Sequence, residues 1–188
     1  MMVALIRSLE AENVIKKLYI IRHGDALPAQ AMRADSIRPL SECGEIEVAA
    51  SAKWLQQRLI EQGAQQIDWL LVSPYVRARQ TAAVLSSYVK VAKQQQYDDI
   101  TPDGNAAQVM DWLLAQLSTQ QQDVEHVAVV SHMPLVSYLV AAFDPATQPL
   151  LFPTAGIAEL SLDVEHWAGH FIQLVSPLEP ESLREPNH

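Results

Sequence analysis

Three short apolar runs constrain this chain more than any other feature: Leu18–Arg22 (LYIIR), Ile67–Val72 (IDWLLV) and His126–Val130 (HVAVV). Each is too short for a typical helix and too continuously apolar for a strand with one wet face. Runs of that kind are strands buried on both sides. Helical stretches separate them. Ser41 stands as an N-cap before a helix to about Gln62, with Val48, Ala52, Leu55 and Leu59 on one stripe. Ser73-Pro74 reads as the cap and first position of a second helix to about Lys90. Val109, Leu113 and Leu117 set a third helix over Ala106–Leu117, and a fourth covers Pro134–Ala142. Two last strands, Ile157–Leu162 and His170–Val175, join around Glu165–Gly169. Strands alternating with helices predict an α/β fold: one three-layer domain, a mostly parallel central sheet with helices on both faces. Ligands of such sheets gather beyond the carboxyl ends of the strands.

The 188 residues suit one domain of that kind. Its expected bounds are 17–176, after an N-terminal extension (1–16) and before a polar, proline-bearing tail (177–188). Hydrophobic residues at 49%, charged residues at 19% and a mean hydropathy of +0.01 describe a globular chain. No apolar stretch nears bilayer length, and the N-terminus lacks the sustained apolar core and cleavage site of a signal peptide, so no membrane association is expected. A net charge of −9 argues against nucleic acid as a partner. The single cysteine, Cys43, forms no internal disulfide and suits a reducing, cytoplasmic setting. No heptad pattern is visible, which favours a monomer. The glutamine runs 94–96 and 120–122 are assigned to helix ends and loops, and Trp54, Trp69, Trp112 and Trp167 to the core or its border.

Chemistry-bearing residues follow all three buried strands. The first ends in Arg22-His23-Gly24, the second runs into Ser73-Pro74-Tyr75-Val76-Arg77, and the third into Ser131-His132-Met133-Pro134. A parallel sheet would bring the three ends to one edge. A strand that stops at His and then Gly holds an imidazole rigidly and lets another backbone or a ligand come close. Arg77 falls in the first turn of a helix, where a guanidinium opposes the positive end of the dipole; a bound anion relieves that conflict. Arg79 points to another side and is assigned to a solvated face. Two histidines and two arginines at three strand ends read as a phosphate cage, with forked donors expected from arginine and a nucleophilic nitrogen from neutral histidine. No cluster has metal-ligand spacing, and His166 and His170 are assigned to a surface hairpin. No cofactor is expected.

These residues resemble the histidine phosphatase superfamily, and within it the phosphohistidine phosphatases of the SixA type. The likeness rests on Arg22-His23-Gly24-Asp25, on Ile37-Arg38-Pro39-Leu40-Ser41 with Gly44, on Ser73-Pro74-Tyr75-Val76-Arg77-Ala78 with Gln80-Thr81, and on Ser131-His132-Met133-Pro134-Leu135-Val136. The resemblance implies that His23 becomes phosphorylated, that Arg22, Arg77 and Arg38 bind phosphate, and that His132 is the second histidine of the pocket. It implies a phosphohistidine on a phosphotransfer domain or phosphocarrier protein as substrate. Phosphomonoesterases of the superfamily place an acidic residue near the site to protonate an alkoxide. The corresponding segment here, Tyr97–Gly104, is short, and its Asp99-Ile100-Thr101-Pro102 resembles the SixA-type segment. The alternative is therefore a small-molecule phosphomonoesterase with Asp99 or Asp98 as the acid, and a third reading is a non-catalytic phosphate-binding module.

Overall fold

The computed structural model describes residues 15–119 and 124–177. Most of the expected extension and tail, and the second glutamine run, lie outside the described residues. Six strands form one sheet: β1 (Lys16–Arg22), β2 (Gln66–Val72), β3 (Lys90–Gln96), β4 (His126–Ser131), β5 (Ile157–Asp163) and β6 (Ala168–Val175). Four helices connect them: α1 (Glu42–Glu61), α2 (Val76–Ser86), α3 (Ala106–Thr119) and α4 (Leu135–Phe143). The strand order is β3-β2-β4-β1-β5-β6. β1, β2, β3 and β4 run parallel, and β5 pairs antiparallel with both β1 and β6. The predicted mostly parallel sheet between two helical layers is what forms.

The apolar runs are continuous because each strand feeds two cores. Leu18 and Ile20 of β1 pack on one face with Trp69, Leu113, Leu117, Leu139 and Phe143, under α3 and α4. Tyr19 and Ile21 pack on the other with Val48, Ala52, Leu55 and Leu59 of α1 and Ala78, Ala82 and Leu85 of α2. Successive side chains of a strand point to opposite faces, so a strand covered on both has no polar position to spare. Ser41 caps α1 as expected, accepting from the backbone N–H of Gly44 at 3.0 Å. Among the described residues, no helix is long and apolar enough to cross a membrane.

The second predicted helix is too long at both ends. Ser73 and Pro74 lie in a turn, Tyr75 is the N-cap, and α2 stops at Ser86. Lys90–Gln96, read as helix end and loop, is the edge strand β3, paired along its length with β2. An edge strand with mostly polar side chains carries little apolar signal; the ladder with β2 makes it a strand, with Val91 against the core and the Lys93 ammonium 4.8 Å from the centre of the Trp69 ring. Trp167 is also misassigned. It is 45% exposed, at the β5–β6 hairpin, with φ of 51°.

The loop after β1 is set by two glycines. A Cβ on Gly24 would meet the carbonyl oxygen of Gly44 at 2.6 Å, and one on Gly44 would overlap the backbone of Asp25. The close approach that Gly24 permits is thus to the first turn of α1. Gly44→Ala should cost about 1–3 kcal/mol through overpacking against backbone that cannot rotate away. Urea unfolding checks this; a midpoint equal to that of the parent would show that the contact is not tight.

Candidate active site

Lateral hydrogen bonds tie the carboxyl ends of the three central strands together. His23 N–H donates to the Ser131 carbonyl at 3.0 Å, and Ser73 N–H to the Val130 carbonyl at 3.1 Å. Ala155 N–H donates to the His23 carbonyl at 3.1 Å, so the backbone of His23 is held on both sides. Gly24 N–H donates to the hydroxyl of Thr81 on α2, and Leu40 N–H to the side chain of Gln80. The pair Gln80-Thr81 therefore fastens two site loops to α2.

The structure brings His23, Arg22, Arg77, His132 and Arg38 together. The rings of His23 and His132 are 5.0 Å apart, centre to centre, and tilted by 58°. His23 is buried, and its Nδ1 lies 2.7 Å from the Gly24 carbonyl. A carbonyl can only accept, so Nδ1 carries the proton and Nε2 carries the lone pair. Consistent with that tautomer, Arg77 Nε–H donates to His23 Nε2 at 3.0 Å. Arg77 is 3% exposed, and its guanidinium lies 4.9 Å from the centre of the Tyr75 ring. The same Tyr75 ring stands 4.9 Å from His132. Arg22 donates from Nη1 to the Phe152 carbonyl at 2.6 Å.

Burial lowers the pKa of His23 to about 4; the neighbouring Arg77, Arg22 and Arg38 push the same way, against the Gly24 hydrogen bond. Burial lowers His132 further, to about 2, with His23 and the same three arginines adding to it. Both imidazoles are neutral at pH 7. Ser73 Oγ accepts weakly from Tyr75 N–H at 3.4 Å and lies 2.7 Å from His132 Nε2. His132 Nδ1 is buried and has no hydrogen-bond partner; where the Ser73 hydroxyl donates to Nε2, that Nδ1 carries the proton. Arg22 Nε and Arg38 Nε are likewise buried without a hydrogen-bond acceptor. Arg38 Nε does pair electrostatically with Asp35 at 3.2 Å, but out of line for a hydrogen bond. Three of the four buried unpartnered side-chain polar atoms among the described residues thus belong to this cluster; the fourth is Trp69 Nε1. Buried donors without acceptors are costly, and an anion among them removes the cost.

The other carboxylates fall differently. Asp98 accepts from Gln96, and Asp99 hydrogen-bonds to Tyr97. Both contacts stay within their own segment, and neither residue is among the charges that shift His23 or His132. Asp25 accepts from the Ser41 hydroxyl and Glu47 from Asp25 N–H. These two carboxylates support the charge on Arg22 against its burial. Arg79, His166 and His170 are exposed. Sequence reading missed Asp35, which binds Arg77, and the parts played by Ser73, Tyr75 and Glu47. Ser73 and Tyr75 lay inside one of these motifs; Asp35 lay two residues before one, in a loop without periodicity.

Known proteins are similar to this chain in sequence and in fold. A family model for the histidine phosphatase superfamily (branch 1) matches residues 18–100. The phosphohistidine phosphatase SixA of Escherichia coli is 36% identical over 162 residues, covering 86% of this chain and 94% of that protein. The SixA homolog of Haemophilus influenzae is 32% identical over 149 residues, 78% of this chain and 88% of its own length. The solved structure of the protein histidine phosphatase SixA complexed with tungstate matches with a TM-score of 0.75 at 36% identity, over 86% of this chain and 97% of that one.

The depressed histidines make a stability prediction. A histidine that stays neutral in the fold but titrates near 6.5 when unfolded binds more protons unfolded. Its contribution is intact above pH 6.5 and is lost as pH falls toward 4, by up to roughly 3 kcal/mol for His23. His23→Asn should therefore flatten the fall in melting temperature across that window. An unchanged slope would mean that His23 charges freely in the fold.

Proposed function

The chain belongs to the histidine phosphatase superfamily, and on that premise we propose that it is a phosphohistidine phosphatase, with His23 as nucleophile and Arg22, Arg38, Arg77 and His132 as the phosphoryl cradle. One observation carries the reading: a neutral imidazole with a fixed lone pair on Nε2 sits among buried donors that have no acceptor. That is the arrangement an incoming phosphoryl group completes.

In the first step Nε2 of His23 attacks phosphorus in line, and the P–N bond of the substrate breaks. The departing imidazole keeps the bonding pair. Arg77 Nε–H, which donates to Nε2 in the free protein, shifts to a phosphoryl oxygen as the lone pair goes to phosphorus. Charge on the equatorial oxygens falls to Arg22, Arg38, Arg77 and the free N–H of His132. In the second step water attacks phospho-His23. The new P–O bond releases the Nε2 pair, both water protons stay on phosphate oxygens, and orthophosphate dissociates as the dihydrogen anion. His23 Nδ1–H stays on the Gly24 carbonyl throughout, so the ring returns in the starting tautomer.

The leaving group favours a phosphoramidate over an ester. An alkoxide needs a proton from an acid at the site. The two carboxylates considered for that task make their contacts to Gln96 and Tyr97. An imidazole protonated on its other nitrogen leaves without such help. The E. coli and H. influenzae relatives carry phosphohistidine phosphatase in their names, which supports the same substrate class. A phosphotransfer domain or phosphocarrier protein fits as the partner, met by a monomer in the cytoplasm, where the exposed thiol of Cys43 stays reduced.

Incubation with a labelled phosphohistidine protein should leave acid-labile phosphate on His23, and His23→Ala should trap none. Arg77→Ala should lower kcat by about 10²–10³, the usual cost of one preorganised donor. Asp99→Asn should leave phosphohistidine turnover nearly unchanged; a loss as large as that of Arg77→Ala, with ester turnover exceeding phosphohistidine turnover, would favour the phosphomonoesterase. The acid limb of kcat/KM due to His23 should lie near pH 4, since the base is active only when neutral. A limb at the ordinary histidine value would contradict the buried, arginine-flanked setting.

A further inference from the structure

We propose that Asp35 is a positioning residue of this reaction: it holds the far edge of the Arg77 guanidinium so that the Nε–H side faces the nucleophile. The inference rests on the phosphatase reading of the cage and adds a residue to it. Asp35 opens a 3-10 turn, Asp35–Ile37, in the loop between β1 and α1. Arg77 Nη1 donates to its backbone carbonyl at 2.8 Å, and Arg77 Nη2 to its carboxylate at 2.8 Å. The remaining edge of the guanidinium donates from Nε to His23 at 3.0 Å. One residue thus grips two nitrogens of the fork, and the third is aimed at the reacting atom.

The ordinary reading of such a contact is a surface ion pair, since the Asp35 side chain is 50% exposed. Pairs of that kind contribute little to stability. Three features set this one apart. Its partner is 3% exposed, so the guanidinium is surrounded by protein and not by solvent while Asp35 is in place. Both the main chain and the side chain of Asp35 engage the same planar group, which fixes its rotation as well as its place. The other oxygen of the carboxylate lies 3.2 Å from Arg38 Nε, so one carboxylate serves two arginines of the cage. The Tyr75 ring under Arg77 limits how the guanidinium tilts; Asp35 limits where its edges point. Asp35 packs against neither core, so its removal leaves the fold's apolar contacts intact.

The test uses phosphoramidate as the phosphoryl donor beside a phosphohistidine protein, so that the outcome does not hang on which protein is the substrate. Asp35→Ala should lower kcat on phosphoramidate about 10- to 100-fold, as expected when a reacting group is misplaced by an ångström or so. Binding of orthophosphate should change far less than kcat, because the cage keeps its charges. Asp35→Asn keeps an acceptor for Arg77 and should recover part of the loss. In an Arg77→Ala background, Asp35→Ala should have a much smaller further effect, what remains passing through Arg38. Full additivity of the two losses would overturn the proposal. So would parent-like kcat in Asp35→Ala, or a rise in kcat with tighter orthophosphate, which would make Asp35 a plug. If the parent protein hydrolyses phosphoramidate but not the phosphohistidine protein, the proposed substrate falls while the Asp35 result is still read on the small donor. Turnover of neither would end both.

Discussion

A single hydrogen bond, from His23 Nδ1–H to the carbonyl of the next residue, decides what the rest of the site can be. An imidazole has one lone pair to offer, and fixing the proton on Nδ1 places that pair on Nε2. Everything around the ring then has a defined task. The arginines and the burial that would be hostile to a charged histidine become the means of keeping it neutral. The backbone of His23 is held between Ser131 and Ala155, and the N–H of Gly24 by Thr81, so the tautomer is a property of the sheet edge.

Gathering three guanidinia and two imidazoles in a half-closed site has a cost in repulsion and desolvation. The fold offsets it locally and unequally. Glu47 and Asp25 face Arg22. Asp35 faces Arg77 and Arg38. The supporting carboxylates come from α1 and from the loop between β1 and α1, whereas the cage residues come mainly from strand ends. This division lets the strands fix geometry while the outer elements balance charge. It also leaves donors on Arg22, Arg38 and His132 unspent, and these are the groups a phosphoryl oxygen can use.

The sequence made the sheet legible because buried parallel strands have no room for polar residues, and the chemistry legible because it sits where those strands stop. Val48, Ala52, Leu55 and Leu59 read as one stripe and pack as one. β3 stayed hidden because an edge strand of lysines and glutamines owes its form to the neighbour it pairs with, which no local pattern records. Ser73 misled for a related reason. Ser-Pro is a good local start for a helix, but here the hydroxyl is taken by His132, 59 positions along the chain, and the helix begins later. Asp35 could not be weighed at all, since an aspartate in an irregular loop is ordinary until Arg77 is known to lie beside it.

Among the described residues the ring nitrogens of His23 meet Gly24 and Arg77 and no carboxylate, which bears on the proposed function because the cage is otherwise so complete. A site that binds a phosphoryl group but donates no proton selects substrates by their leaving groups. Esters leave as strong bases and wait for a proton; phosphohistidine leaves as an imidazole, a base matched to neutral water. Asp35, the carboxylate nearest the nucleophile's arginine, has both carboxylate oxygens turned to guanidinia and its carbonyl to the same fork. Its geometry orients a cation. Under the proposed function this carboxylate serves the placement of Arg77, and a preference for phosphoramidates over esters is what the proposal expects of such a site.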